Sequence, residues 1–130
     1  MAYSDFTLVD VKEKLGLALI EKNLLFSGAA PVCYSDHLKE TLNYNVPLAI
    51  SINTEKARSE LIVTPVLVEI MKLSRQSISL FSGIELNVDK SRGLSGFCDY
   101  IISLSPEQLL LDAPIINLSL IHISEPTRPY

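Results

Sequence analysis

Residues 80–104 read LFSGIELNVDKSRGLSGFCDYIISL, and this segment has the pattern of a β-hairpin. Its first part alternates between apolar and polar residues with period two, which predicts a strand. One predicted face of that strand carries Leu80, Ile84, Leu86 and Val88, and the other carries Glu85 and Asn87. Turn-forming residues occupy positions 89–93, and a second strand is predicted over Phe97–Leu104.

The segment before the hairpin predicts a long helix. Residues 55–63 read EKARSELIV, and the helix around them is expected to begin between Val46 and Thr54 and to end near Gln76. Pro65 lies inside this helix. Because proline has no backbone N–H and clashes with the preceding turn, we expect it to kink or split the helix.

Glu60 is the carboxylate that the helical pattern predicts to point inward. With about 100° per residue, Glu60 aligns with the apolar residues Leu67 and Met71. Arg58 and Glu69 fall on the opposite side of the same helical projection. An acid on an apolar helix face is a candidate site residue.

The N-terminal part of the chain contains two further predicted helices. A short helix is expected over residues 7–16, capped by a threonine at its start and stopped by a glycine. Leu17–Phe26 fits either a short strand or a continuation of that helix. A second helix is predicted to be capped by Ser35 or Asp36 and to end near Asn43.

The order of these elements predicts an α+β fold. A helix is followed by an antiparallel hairpin and by an incomplete third strand that is expected to begin at Pro114. We divide the chain into an N-terminal α/β elaboration at residues 1–45, a core at 46–117 and a tail at 118–130.

Composition favours one globular, soluble domain. Of the 130 residues, 48% are hydrophobic, which is enough for a buried core. No signal peptide is recognisable and no apolar run reaches the ~20 residues that cross a bilayer, so we expect no membrane association and a cytoplasmic location. Cys33 and Cys98 lack metal-ligand spacing and are expected to be free thiols. The net charge of −4 gives no general attraction to nucleic acid, although a local groove can still bind it.

The last residues resemble translated sequencing adapter. Residues 118–128 read LSLIHISEPTR, and a codon string for this peptide matches the end of a transposase-based library adapter. We therefore expect the native chain to continue differently after Asn117. His122 and Glu125 are accordingly excluded as candidate site residues. Leu118–Ile123 nevertheless has the apolar, β-branched composition of a strand.

Two acids are the candidate site residues, Glu60 and Asp99. Asp99 shares a strand face with Phe97 and Ile101, and an unpaired carboxylate in apolar surroundings is costly. Each acid therefore needs a metal ion or a basic partner. In the structural alternative, Glu60 pairs with a nearby basic residue and Asp99 accepts hydrogen bonds at the hairpin. Glu85 is a further candidate, on the polar face of the first strand, where solvation is the alternative.

The chain contains, in this order, a helix that carries Glu60, a first hairpin strand and the sequence GFCD at residues 96–99. This order is similar to that of the core of the PD-(D/E)XK nuclease superfamily. The chain also resembles a group of bacterial proteins that carry EKARSEL at residues 55–61 and FCDYIISLSPEQ at residues 97–108. The resemblance covers residues 45–117. It implies a restriction-endonuclease-like core and Mg²⁺-dependent hydrolysis of a phosphodiester bond in nucleic acid.

The resemblance also implies roles for the two acids. Asp99 would be the central Mg²⁺ ligand, and Glu60 would be the helix acid that helps to orient a metal-bound water. Lys56 and Arg58 are candidate phosphate contacts. The E-x-K motif of the superfamily does not follow Asp99, so we expect residues 46–117 to be a truncated nuclease-like core without activity of its own.

The alternative function is a non-catalytic binding or regulatory module with the same fold. In that case Glu60 and Asp99 serve structure alone. The two functions differ in geometry, because a metal site requires both carboxylates within reach of one ion.

Overall fold

A computed structural model describes residues 5–21, 26–111 and 115–118 of the chain. These residues contain four α-helices and three β-strands. The helices are α1 (Leu8–Leu15), α2 (Asp36–Ile52), α3 (Glu55–Arg58) and α4 (Thr64–Leu73), with a π-helical turn at Ser59–Val63. The strands are β1 (Ser79–Asp89), β2 (Leu94–Ser103) and β3 (Ile115–Leu118), with a 3-10 turn at Lys90–Arg92. They form an antiparallel sheet in the order β1-β2-β3. The predicted α+β fold class is confirmed.

Helix α1 confirms the predicted first helix. Thr7 Oγ1 accepts a hydrogen bond from the Asp10 N–H at 3.1 Å, and the Asp10 carboxylate accepts one from the Thr7 N–H at 2.9 Å. This reciprocal capping box satisfies two backbone donors that the first turn leaves open. The bonds from Thr7 lower the pKa of Asp10 to about 2. Gly16 ends the helix at φ 65°, a left-handed conformation that suits glycine.

Helix α2 is longer than predicted. Its N-cap is Ser35, as expected, but the helix runs past Asn43 and through Pro47 to Ile52. The missing N–H of Pro47 leaves one intrahelical bond unmade. Burial of Ala49, which is fully buried, and packing against α3, α4 and the π-helical turn offset that loss. The helix therefore crosses the predicted boundary between residues 45 and 46.

Pro65 splits the next helix, as predicted, and the break is a π-helical turn. Pro65 has no N–H to donate to the Leu61 carbonyl. The helical hydrogen bonds here change from the i→i−4 to the i→i−5 pattern, and the Thr64 N–H donates to the Ser59 carbonyl. The Leu61 carbonyl instead accepts a hydrogen bond from Asn45 Nδ2 of α2 at 2.9 Å. The amide of α2 thus replaces the donor that proline lacks.

The predicted long helix is therefore α3, the π-helical turn and α4 in succession. Thr54 caps its start, since Thr54 Oγ1 accepts a hydrogen bond from the Ala57 N–H at 3.0 Å. The helix ends at Leu73, before the predicted end near Gln76. Arg75 and Gln76 adopt left-handed φ angles of 52° and 64°, and a right-handed helix cannot continue through residues in this conformation.

The predicted hairpin is confirmed, with a second strand that begins at Leu94 rather than Phe97. Asp89 organises its turn: one carboxylate oxygen accepts hydrogen bonds from Ser91 N–H at 3.0 Å and Ser91 Oγ at 2.6 Å. Gly93 closes the turn at φ 76°. These are the turn residues that the sequence placed at positions 89–93.

The third strand pairs with the hairpin in a defined register. Tyr100 lies opposite Leu118 and Ser103 lies opposite Ile115. The predicted first residue of this strand, Pro114, is outside the described residues. So is the tail beyond Leu118, including His122 and Glu125, and the expected strand over residues 118–123 is therefore described only at its first residue.

The core lies between α4 and the sheet. Leu67 of α4 packs with Tyr100 and Ile102 of β2, and all three side chains are buried. The partly buried residues around this cluster are Val63, Ile78, Leu80 and Leu118. One apolar face of α4 is therefore packed against the sheet.

Two compact units contain these elements. One consists of residues up to Cys33 together with Glu85–Phe97, and it includes α1 and the hairpin turn. The other consists of Tyr34–Ile84 and the residues from Cys98 onward, and it includes α2, α4 and the core cluster. Among the described residues, no helix has the length and apolarity that crossing a membrane requires.

Candidate functional site

Glu60 lies on the surface, so the prediction that it points inward is wrong. Its side chain is 62% exposed, and Glu60 Oε1 lies 3.9 Å from Lys56 Nζ. The π-helical turn is the cause, because it contains about one residue more than an α-helical turn and changes the phase between Glu60 and α4. Leu67 still faces the core, but Glu60 no longer shares its side.

Asp99 points to the opposite face of β2 from its neighbour Tyr100. The Tyr100 hydroxyl lies 2.6 Å from Ser59 Oγ and 2.8 Å from Thr64 Oγ1, so Tyr100 faces the helical segment. Successive side chains on a strand point to opposite faces. The half-buried Asp99 therefore points away from the segment that carries Glu60.

The two predicted metal ligands consequently do not converge. Mg²⁺ requires several oxygen ligands at about 2.1 Å around one point. Within the described ranges, no group of three or more His, Cys, Asp or Glu side chains is placed to hold a metal ion. Glu85, the further candidate, is exposed on β1. The positions of Glu60 and Asp99 thus do not fit the Mg²⁺ that the resemblance implies.

The two predicted phosphate contacts also have other surroundings. Lys56 is 83% exposed and faces Glu60 one helical turn later. Arg58 donates a hydrogen bond from Nη2 to the side-chain oxygen of Asn53, the residue that ends α2 in a left-handed conformation. Arg58 therefore joins α3 to the end of α2.

The acid that the structure buries is Glu69, which the helical projection placed on the outer side. It is 5% exposed and accepts hydrogen bonds from the Ser35 N–H at 2.6 Å and from Ser35 Oγ at 2.9 Å. The carboxylate thus completes the N-terminus of α2, where helix dipole and open donors favour negative charge. These two bonds, and then the nearby charges of Lys72 and His37, lower the pKa of Glu69.

No protein-family model, curated protein or solved structure matches this chain. The resemblance to the PD-(D/E)XK superfamily therefore rests on the sequence motifs quoted above. The geometry of the described residues points to a different surface, a groove along α4.

The α4 groove has two adjoining halves that share Val68 and Lys72. The half toward α2 has a volume of about 250 Å³ and is lined by His37, Leu38, Thr41, Thr64, Pro65, Val68, Glu69 and Lys72. The half toward β1 has a volume of about 470 Å³ and is lined by Val68, Met71, Lys72, Gln76, Ile78, Pro106 and Gln108. The half toward β1 is by itself of the size of a ligand site.

Most of the surface area inside the α4 groove is apolar although about half of its lining residues are polar, and Lys72 places an ammonium group between its halves. Val68 is 41% exposed although it is a large aliphatic residue on a helix whose other face is buried. Lys72 supplies a positive charge beside it. Glu69 adds a negative charge to the half toward α2, and both of its carboxylate oxygens accept hydrogen bonds from Ser35. No contiguous motif encodes this groove, so the sequence alone does not predict it.

Neither cysteine lines the α4 groove. Cys33 is exposed and Cys98 is buried, and both are free thiols, as predicted. Burial and then the neighbouring Asp99 charge raise the pKa of Cys98. A thiol with a raised pKa stays protonated at neutral pH and is a poor nucleophile.

The contribution of Glu69 to stability should depend on pH. Because its pKa is lower in the folded than in the unfolded chain, its stabilising effect is present above the ordinary glutamate range. That effect is lost as pH falls below about 4. We expect urea unfolding between pH 7 and pH 3 to show a shallower pH dependence in Glu69→Gln than in the wild type.

Ser35→Ala provides the matched variant. It removes one donor to Glu69 and the side-chain cap of α2, and should lower the free energy of unfolding by about 0.5–2 kcal/mol at pH 7. It should flatten the same part of the pH profile. A Glu69→Gln profile parallel to that of the wild type would contradict the assigned role.

Proposed function

We propose that this chain is a non-catalytic binding module that holds a segment of a partner protein in the α4 groove. The observation that carries the proposal is the exposure of Val68 at the centre of a groove whose two halves flank the cation of Lys72. The divergence of Glu60 and Asp99 favours binding over hydrolysis. A binding module is also the alternative function that the sequence predicts, and the α4 groove specifies its surface.

The chemistry of the groove favours a segment that places a carboxylate next to an apolar side chain. Val68, Met71 and Ile78 offer apolar surface, which drives association through burial. Lys72 offers a charge for an acidic group at the boundary between the halves. Glu69 stays ionised because the hydrogen bonds from Ser35 lower its pKa, so an acidic group should approach Lys72 from the half toward β1, which Glu69 does not line.

Selection from a displayed random-peptide library tests the proposal. Peptides that bind the chain should be enriched in apolar residues next to Asp or Glu. Val68→Asp should weaken their binding about tenfold or more, because it places an unpaired charge where apolar contacts form. Lys72→Gln should weaken binding and reduce its salt dependence.

The matched control is Ile50→Asp. Ile50 is 55% exposed on α2 and lines neither half of the groove, so this charge should leave binding unchanged. Equal loss of binding in Ile50→Asp and Val68→Asp, or selected peptides without an acidic residue, would overturn the proposed surface.

A second candidate function is Mg²⁺-dependent phosphodiester hydrolysis on a restriction-endonuclease-like core. The order of α3, α4, β1 and β2 favours it, since it is the order of the resembled superfamily. Calorimetric titration with Mg²⁺ and Mn²⁺ distinguishes it from binding, whereas cleavage of DNA or RNA by this chain is not expected under either function because the E-x-K motif is missing. Our proposal expects no saturable metal binding; binding that Asp99→Asn and Glu60→Gln both abolish would favour the nuclease.

A further inference from the structure

The side chain of Gln108 is hydrogen-bonded to the backbone of β1. Gln108 Oε1 accepts a hydrogen bond from the Leu80 N–H at 3.2 Å, and Gln108 Nε2 donates one to the Leu80 carbonyl at 2.5 Å. A residue of a paired antiparallel strand makes this same pair of bonds, one as donor and one as acceptor. The side-chain amide of Gln108 therefore makes, at Leu80, the hydrogen bonds that a neighbouring strand would make.

Leu80 carries these bonds on the outer edge of the sheet. In the strand order β1-β2-β3, β1 has a described neighbour on one side only. The groups that bond to Gln108 are thus those that a further strand would use. Because backbone direction alternates along a strand, the N–H and carbonyl of Ser82 point to the same edge as those of Leu80.

The loop that carries Gln108 is held in place by its own side chains. Ser105 Oγ accepts a hydrogen bond from the Glu107 N–H at 3.3 Å, and Glu107 Oε1 accepts one from the Leu109 N–H at 2.7 Å. Bonds of this kind fix a turn locally. Gln108 is therefore presented to β1 by a preformed loop.

We propose that Gln108 is a plug that closes the outer edge of β1 against pairing with β1 of a second copy of this chain. Exposed strand edges pair with other chains unless something covers them. A second β1, added antiparallel about a two-fold axis, would continue the antiparallel pattern and would bring the same edge of both copies together. Gly83, at φ 65°, ends the regular part of the strand, so the pairing segment is Ser79–Ser82.

The geometry of the β1 edge favours β1 of a second copy as the strand that would pair with it. An isologous pair needs no sequence beyond β1 itself, and its short length predicts a weak dimer that forms only when Gln108 is withdrawn. The proposal concerns the outer edge of β1 and does not depend on binding in the α4 groove, although Gln108 also lines the half of the groove toward β1.

Sedimentation velocity over a concentration series tests the plug. Gln108→Met keeps the size of the side chain and removes both hydrogen bonds, and it should raise the association constant for dimers about tenfold or more above the wild type. Hydrogen exchange at the Leu80 amide should become faster in the dilute variant and slower again in its dimer. Asn43→Leu, which adds apolar surface at an exposed position of α2 outside the groove, should behave as the wild type.

A double variant identifies the pairing edge. Ser82→Pro removes an outward N–H from β1, and edge strands tolerate proline. In the Gln108→Met background it should restore the monomer. A monomeric Gln108→Met variant, a wild type that dimerises equally well, or a dimer that survives Ser82→Pro would each overturn the proposal.

Discussion

Replacing Leu67 by alanine should lower the free energy of unfolding by about 2–5 kcal/mol, the largest loss that we expect from a single substitution in this chain. Leu67 is 4% exposed and is the residue through which α4 packs on Tyr100 and Ile102. Truncation removes apolar contacts and leaves a cavity that a helix against a sheet cannot fully close. Since domains of this size are stable by only about 5–15 kcal/mol, a large share of the molecules should unfold at moderate urea.

Urea unfolding followed by circular dichroism measures this loss. The control is Leu73→Ala on the same helix, where the side chain is 49% exposed and the expected loss is below about 1 kcal/mol. Leu67→Met keeps the volume and should cost less than about 1.5 kcal/mol, so it stays measurable if the alanine variant does not fold. Equal losses for Leu67→Ala and Leu73→Ala would show that α4 does not pack as described.

Replacing Tyr100 by phenylalanine should cost about 1–3 kcal/mol although it removes a single oxygen atom. The buried hydroxyl bonds to Ser59 Oγ, to Thr64 Oγ1 and, at 3.2 Å, to the Ser59 carbonyl. Without it, two partly buried hydroxyls lose a partner. These partners lie at the two ends of the π-helical hydrogen bond, so the loss should loosen that turn.

The exposed Tyr44 offers a matched control, since Tyr44→Phe at 76% exposure should leave stability unchanged within about 0.5 kcal/mol. A double-mutant cycle of Tyr100→Phe with Ser59→Ala measures the coupling directly. We expect a coupling energy above about 0.5 kcal/mol. Additive losses in the two single variants would contradict a direct bond.

Local chemistry was predictable from the sequence wherever one short segment determines the outcome. The capping box of Thr7 and Asp10, the stop at Gly16 and the hairpin turn at positions 89–93 each depend on neighbouring residues, and the structure confirms them. The break at Pro65 belongs to the same class. The resemblance to nucleases, and the roles it gives to Glu60 and Asp99, stay predictions.

Features that depend on distant partners were not predictable. Helix α2 continues through Pro47 because Ala49 is buried against elements that follow it in the chain. Glu60 leaves the side of Leu67 because the π-helical turn alters the helical phase, and a projection with constant phase cannot contain that turn. Glu69 stays opposite Leu67 as projected, but Ser35 at the start of α2 covers that side of α4. The Asn45 amide that satisfies the Leu61 carbonyl is 16 residues away in sequence.

The bond between Ser35 and Glu69 has a consequence for the order of folding. It joins residues 34 positions apart, so α2 can gain this part of its cap only after α4 has arrived. The local bond from the Leu38 N–H to Ser35 Oγ can form earlier, within α2 alone. The backbone amides in the first turn of α2 therefore become fully protected late in folding. Fraying of this turn indicates that α2 and α4 have separated.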